Sequence, residues 1–297
     1  MKREVLSLAI LSLSLGAQVR FDVPRLGYVY DPEAKAIRQV SGVPGAAAFE
    51  NSIDGGGAIE RAWISQRGFA VVQGKLDSGT RLLDWSRGSS QSLIDVETAG
   101  ISNSGRFAAL AKAGTVEVWD GTAATRTARF DGAANDIKGI AVSDDGNAVL
   151  IAAGSRLQLW NGRGSVQTVW SGDTIRDAGF FGESTDFAAL DAGTGKLYVS
   201  RAGSITESES PLTGATSMAT LGASRLVLAG DTTVAVLDLT TSSLQAVPTD
   251  TPIERFTRVG YGGELFQIRF KQDQRTALFE TAPDGSPQIE FLVGGVR

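Results

Sequence analysis

The stretch IKGIAVSDDGNAVLIAAGSRLQLWNGRGSVQTVW, residues 137–170, reads as four short antiparallel strands joined by tight turns. Ile137–Val142 is mostly apolar and ends at Ser143-Asp144-Asp145-Gly146, where glycine supplies the positive φ of a tight hairpin. Residues 148–152 are wholly apolar and run into Gly154-Ser155. Arg156–Trp160 alternates apolar with polar, Asn161-Gly162 turns the chain again, and residues 165–170 close the unit. Continuous apolar runs suit strands covered on both faces, and alternation suits strands with one wetted face. The unit is a four-stranded sheet, inner strands between neighbours and outer strands toward water.

The same punctuation recurs outside this stretch. An apolar strand ends on a large residue and then a small or acidic turn former at Tyr30-Asp31, Trp85-Ser86, Trp119-Asp120, Trp160-Asn161, Val199-Ser200, Leu237-Asp238 and Phe279-Glu280. After a first gap of 55 residues, these junctions lie 34 to 42 residues apart. A period of about 40 with strand content marks propeller blades. Residues 104–110 (SGRFAAL) and 184–190 (STDFAAL) repeat each other 80 residues apart. Ser65-Gln66-Arg67-Gly68 and Ser102-Asn103-Ser104-Gly105 occupy the place of the Ser143 turn, as Gly260-Tyr261-Gly262-Gly263 does near the C-terminus.

The chain therefore reads as all-β: a single β-propeller of four-stranded antiparallel blades over residues 18–297. The outer half of the unit appears seven times and the inner half six, because residues 26–40 show an outer pair without an inner one. Residues 18–23 can supply one strand there. Seven blades with an irregular first one is the preferred count; six plus an N-terminal hairpin is the alternative. Either ring closes between its first and last units, since an open one leaves two unpaired sheet edges.

Val118-Trp119-Asp120 and Leu159-Trp160-Asn161 resemble the Trp-Asp ending of WD40 repeats. The Ser143-Asp144-Asp145-Gly146 turn is similar to the hairpin turn of WD40-like and YVTN-type bacterial propellers. The likeness runs over most of the chain in short motifs. It implies the propeller fold and an interaction platform, and assigns no site. The chain departs from WD40 repeats in having no histidine, hence no Gly-His dipeptide and none of its side-chain network.

Composition narrows the chemistry. With no cysteine and no histidine, the chain has no disulfide, no thiolate and no Ser-His-Asp, Cys-His or His-Glu-x-x-His arrangement. A formal charge of −5 gives no general attraction for nucleic-acid backbones or anionic lipid. Lys2 and Arg3, the apolar residues 5–15 and the small pair Gly16-Ala17 form a signal-peptide pattern over residues 1–17, too short for a spanning helix. The expectation is a secreted or periplasmic protein with no stable membrane insertion after cleavage.

Candidate sites are few. Gly55, Gly56 and Gly57 lie in the long first gap, whose loop is the one expected to fold over a mouth of the ring. Trp63 and Trp170 stand outside the tryptophan column of Trp85, Trp119 and Trp160 and are available to stack on a ligand. Asp144-Asp145 offers too few oxygens for calcium, so no metal is expected, and no cofactor-binding motif is visible. The function expected is a secreted, non-enzymatic platform for a protein, peptide or glycan ligand. The alternative is a carboxylate-based hydrolase or lyase of the glycoside type, with two acids facing each other in the central funnel.

Overall fold

The computed structural model describes residues 24–292, apart from 44–45, 76–78, 94–95, 134–135, 163, 165, 172–174, 260–263, 272–275 and 282–285. Among the described residues every regular element is a strand, and the strands form seven antiparallel sheets. The first sheet holds β1 (Arg25–Asp31), β2 (Ala36–Ser41) and β3 (Ala48–Ile53). The second holds β4 (Ile59–Ile64), β5 (Phe69–Gly74), β6 (Thr80–Asp84) and β7 (Ser89–Leu93). The third holds β8 (Thr98–Ile101), β9 (Phe107–Lys112), β10 (Thr115–Asp120) and β11 (Thr125–Asp131). The fourth holds β12 (Ile137–Val142), β13 (Val149–Ala153), β14 (Arg156–Trp160) and β15 (Gln167–Ser171). The fifth runs from β16 (Ile175–Phe180) through β17 (Phe187–Asp191) and β18 (Lys196–Arg201) to β19 (Ser204–Glu209). The sixth has β20 (Ser217–Leu221), β21 (Arg225–Ala229), β22 (Thr233–Asp238) and β23 (Ser243–Pro248). The seventh has β24 (Ile253–Val259), β25 (Leu265–Phe270), β26 (Thr276–Thr281) and β27 (Pro287–Phe291).

Each core layer is shared by two sheets, which is why second strands are apolar on both faces. Phe107, Ala109 and Ala111 of β9 pack on Val149, Ile151 and Ala153 of β13. Val227 and Ala229 of β21 meet Phe266 and Ile268 of β25 in the same way. Each Val, Ile or Phe so covered contributes about 1.5–3 kcal/mol. The fourth strands, such as β7 and β19, are largely exposed. Closure is direct: Val29 and Val40 pack on Val259, Leu265 and Leu278, and Gln267 Nε2 donates to Tyr30 O at 2.9 Å. The ring has seven blades.

Two assignments from sequence are corrected. Tyr30-Asp31 ends a second strand rather than a third. Asp31 Oδ1 accepts from the Glu33 and Ala34 amides as Asp191 does from Gly193 and Thr194 at the end of β17. Lys35 O, in the following turn, accepts from Ile59 N, just as Asp231 O between β21 and β22 accepts from Ile253 N. β1, β2 and β3 thus fill second, third and fourth places. The first sheet's third strand ends at Ser41, and the gap to Asp84 is 84 − 41 = 43 residues rather than 55. Residues 1–23, including the signal-peptide pattern and the strand expected within 18–23, lie outside the described residues, as does Gly260-Tyr261-Gly262-Gly263.

Trp85 also leaves its column. Asp84 pairs with Phe69 as Asp120 pairs with Phe107, so Leu83 holds the place of Trp119. The carboxylate, not the tryptophan, sets the register: Asp84, Asp120 and Asp238 each accept two backbone amides of the following turn.

Two features matter for stability. A Cβ on Gly100 of β8 would lie 2.1 Å from Ile140 O of β12, so adjoining inner strands approach with no side chain between them. Glu117 of β10, 4% exposed at its side chain, accepts from Lys112 Nζ, Trp119 Nε1 and Arg126 Nη1, each at 3.0 Å. Burial pushes its pKa up, but these bonds outweigh burial and hold it below the ordinary carboxylate range.

Candidate functional site

The central channel is walled by the first strands of sheets two to seven among the described residues. At the end bearing the first-to-second-strand turns it holds a cavity of about 230 Å³. Its walls are largely apolar, with Trp63, Ile101, Ile140, Phe180 and Met218 contributing. Small inner-strand residues leave this room: Ala141, Ala178, Gly179 and Ala219 also line it.

The rim is polar and comes from one turn position. Gln66, Asn103 and Asp144 are the second residues of the three Ser-x-x-Gly turns, and the turns are bonded to one another. Ser65 Oγ donates to Gly105 O, Arg67 Nε to Ser104 O at 2.8 Å, and Ser104 N to Asp144 Oδ1. Positive φ at Gly68, Gly105 and Gly146 allows these turns to form. Asn103 Nδ2 reaches from the third sheet to the fifth and sixth, donating to Phe180 O at 2.8 Å and Thr220 Oγ1 at 3.0 Å. Gln66 Nε2 donates to Asn103 O at 3.0 Å, while its Oε1 is buried without a partner.

Arg258 of β24 is the one charged residue lining the cavity among the described residues. It donates to Thr220 O and sits 5.0 Å above the Phe266 ring. Burial lowers its pKa to about 10, against the opposing pull of Asp144. Burial likewise raises Asp144, countered by bonds from Ser104 and by Arg258; the exposed Glu183 raises it further. No group of three or more potential metal-ligating side chains occurs among the described residues.

The residues singled out from sequence do not converge. Trp63 lines the cavity, 8% exposed, with the Arg61 guanidinium 4.6 Å from its ring centre. Trp170 packs on Tyr198 at 4.3 Å, between the fourth and fifth sheets. Gly55 and Gly56 line a groove between the first two sheets, with Gly57 beside them, so this loop covers an outer seam rather than a mouth of the ring. From sequence Asn103 reads only as part of a hairpin turn, and Arg258 as one charge of a solvated, ion-paired strand face in the last unit. Their signal was the repeated turn position for Asn103; for Arg258, the polar residue just before the end of a first strand.

No known protein family matches the chain, and no curated protein does. Solved structures match throughout its length. A chain of the mitotic checkpoint complex shares 10% identity over all of this chain and 90% of that one, with a TM-score of 0.61. The β-propeller domain of Myceliophteria thermophila Cps50 (Swd1) shares 15% over 65% of this chain and 67% of that one, with a TM-score of 0.53. The fold is that of a WD40-like propeller. Dihydro-heme d1 dehydrogenase NirN shares 16% over 77% of this chain, which spans 54% of that one, with a TM-score of 0.55. At these identities the likeness concerns fold.

Proposed function

We propose that the chain is an exported, non-enzymatic binding platform whose partner is a protein or peptide. An apolar anchor side chain enters the channel cavity, while Gln66, Asn103 and Arg258 hold the flanking backbone. The observation carrying this reading is a mostly apolar space sized for one large side chain under a polar rim that its own hydrogen bonds hold in place. Propellers in protein assemblies, such as the checkpoint complex, lend it fold-level support. Paired-carboxylate chemistry has one observation in its favour, the raised Asp144 with Glu183 nearby. Glu183 is exposed and Asp144 is engaged by Ser104, which suits a rim better than an acid–base pair.

Displayed random peptides selected on the immobilised chain should be enriched in sequences with one aromatic or long aliphatic anchor. Thr257→Trp, which fills the cavity, should weaken the winners at least tenfold, with Arg258→Ala weakening them less. No enrichment, or binding indifferent to Thr257→Trp, would sink the reading. Export rests on the pattern over residues 1–17. N-terminal sequencing of protein recovered outside the cytoplasm should begin at Gln18, and a start at Met1 would refute cleavage.

A further inference from the structure

At the other end of the channel, where the first strands begin, two arginines stand without an ion pair among the described residues. Arg61 and Arg255 each follow a shift of register near the start of β4 and β24. These strands belong to the second and seventh sheets, on either side of the first, and β1 touches both. Phe256 packs toward the sixth sheet and Val259 toward the first, so by alternation Arg255 shares the face of Val259. Arg61 lies over the Trp63 ring and uses one of its five N–H groups, Nη1 donating to Glu97 O at 3.3 Å.

Arg255 is placed against its own charge. It sits directly opposite Arg269 of β25, and like charges so paired destabilise a sheet. Glu254 neutralises Arg269 at 3.1 Å, whereas the Arg255 side chain makes no hydrogen bond or ion pair among the described residues. Burial lowers the Arg255 pKa; Arg61 and Arg269 lower it further, against the opposing pull of Asp177 and Glu254. Burial lowers Arg61 as well. Both residues are only partly buried, so a solute can reach them. A guanidinium drawn partly out of water without an acceptor is costly, and its planar fork matches a carboxylate.

We propose that Arg61 and Arg255 form a binding site for a carboxylate at this end of the channel. The local charge favours a monoanion. Glu254 is offset by Arg269, so Arg61 and Arg255 face one further acid, Asp177, whose Oδ2 accepts from Met218 N at 3.0 Å. Two positive charges and one negative leave a single positive charge, which one carboxylate cancels and a phosphate dianion overshoots. A free organic acid and an acidic side chain of a peptide share this chemistry.

Titration calorimetry of the full chain with sodium benzoate and with a capped Ala-Glu-Ala peptide should give saturable binding of at least one, and none of capped Ala-Gln-Ala. Tighter benzoate would assign the site to a free organic acid, and a tighter peptide to an acidic side chain. Arg255→Gln should weaken the binding at least tenfold. Because it removes an unpaired charge it should melt no lower than wild type, which separates lost binding from lost folding. Arg61→Gln should weaken the binding too, while Lys138→Gln, at an exposed cation paired with Asp136, should leave it unchanged. Failure of both carboxylates to bind, tighter binding of inorganic phosphate, or affinity that depends on Arg258 rather than on Arg61 and Arg255 would each overturn the proposal.

Discussion

Gly100→Ala should cost about 3 kcal/mol, the upper end of ordinary overpacking, and lower Tm by roughly 5 °C. The new methyl would meet Ile140 O at 2.1 Å and Ile140 C at 2.9 Å. Both are backbone atoms of a strand fixed by its pairing with β13, where Ile140 faces Ile151. No side chain can rotate away, so relief requires separating the third and fourth sheets and loosening the layer of Phe107, Val149 and Ile151. Gly164→Ala is the control: nothing lies within 4 Å of its Cβ position and its φ is not left-handed, so its effect should stay within about 0.5 kcal/mol. Equal melting temperatures for the two variants by circular dichroism would show that the inner strands have slack that this geometry denies.

Glu117→Ala should be comparably damaging, also about 3 kcal/mol. Breaking a buried ion pair costs 3–5 kcal/mol. The low end applies because Arg126 and Arg129 are about half exposed and can turn to water. Lys112 and the Trp119 indole cannot leave so easily, being 21% exposed at the side chain and 8% exposed overall respectively. The pH dependence has a definite sign. The folded-state pKa of Glu117 lies below its ordinary 4.5, so its contribution is complete above that value and drains as pH falls through the lower, folded-state pKa. Urea denaturation at pH 7 and pH 3 should therefore show a larger wild-type advantage over Glu117→Gln at pH 7. An advantage that does not shrink in acid would mean the carboxylate is not held ionised by its donors.

The architecture was legible because its signals are local and repeated: apolar runs for second strands, Ser-x-x-Gly turns, and a period near 40. What misled was the choice of marker. Tryptophan is conspicuous, but Trp85 stands one place beyond the strand, whereas the Asp84, Asp120 and Asp238 carboxylates bind the turn amides and so set the register. Tyr30-Asp31 imitated a third-strand ending because an Asx turn follows either kind of strand. The site was less legible for a different reason. Asn103 meets Phe180 and Thr220 across separations of 77 and 117 residues, and no local pattern reports which turns converge on the axis.

Those separations bear on how the molecule assembles. Neighbouring sheets can recruit one another progressively, each contact closing a loop of about one repeat. The Asn103 amide has nothing to bind until the fifth and sixth sheets have swung round to meet it, so its bonds should form late, before only such longer closures as Gln267 to Tyr30 across 237 residues. Contacts absent from the transition state govern how slowly a native chain comes apart rather than how quickly it forms. Loss of the Asn103 amide should therefore show chiefly as faster unfolding, like a tie drawn across an arch that already stands.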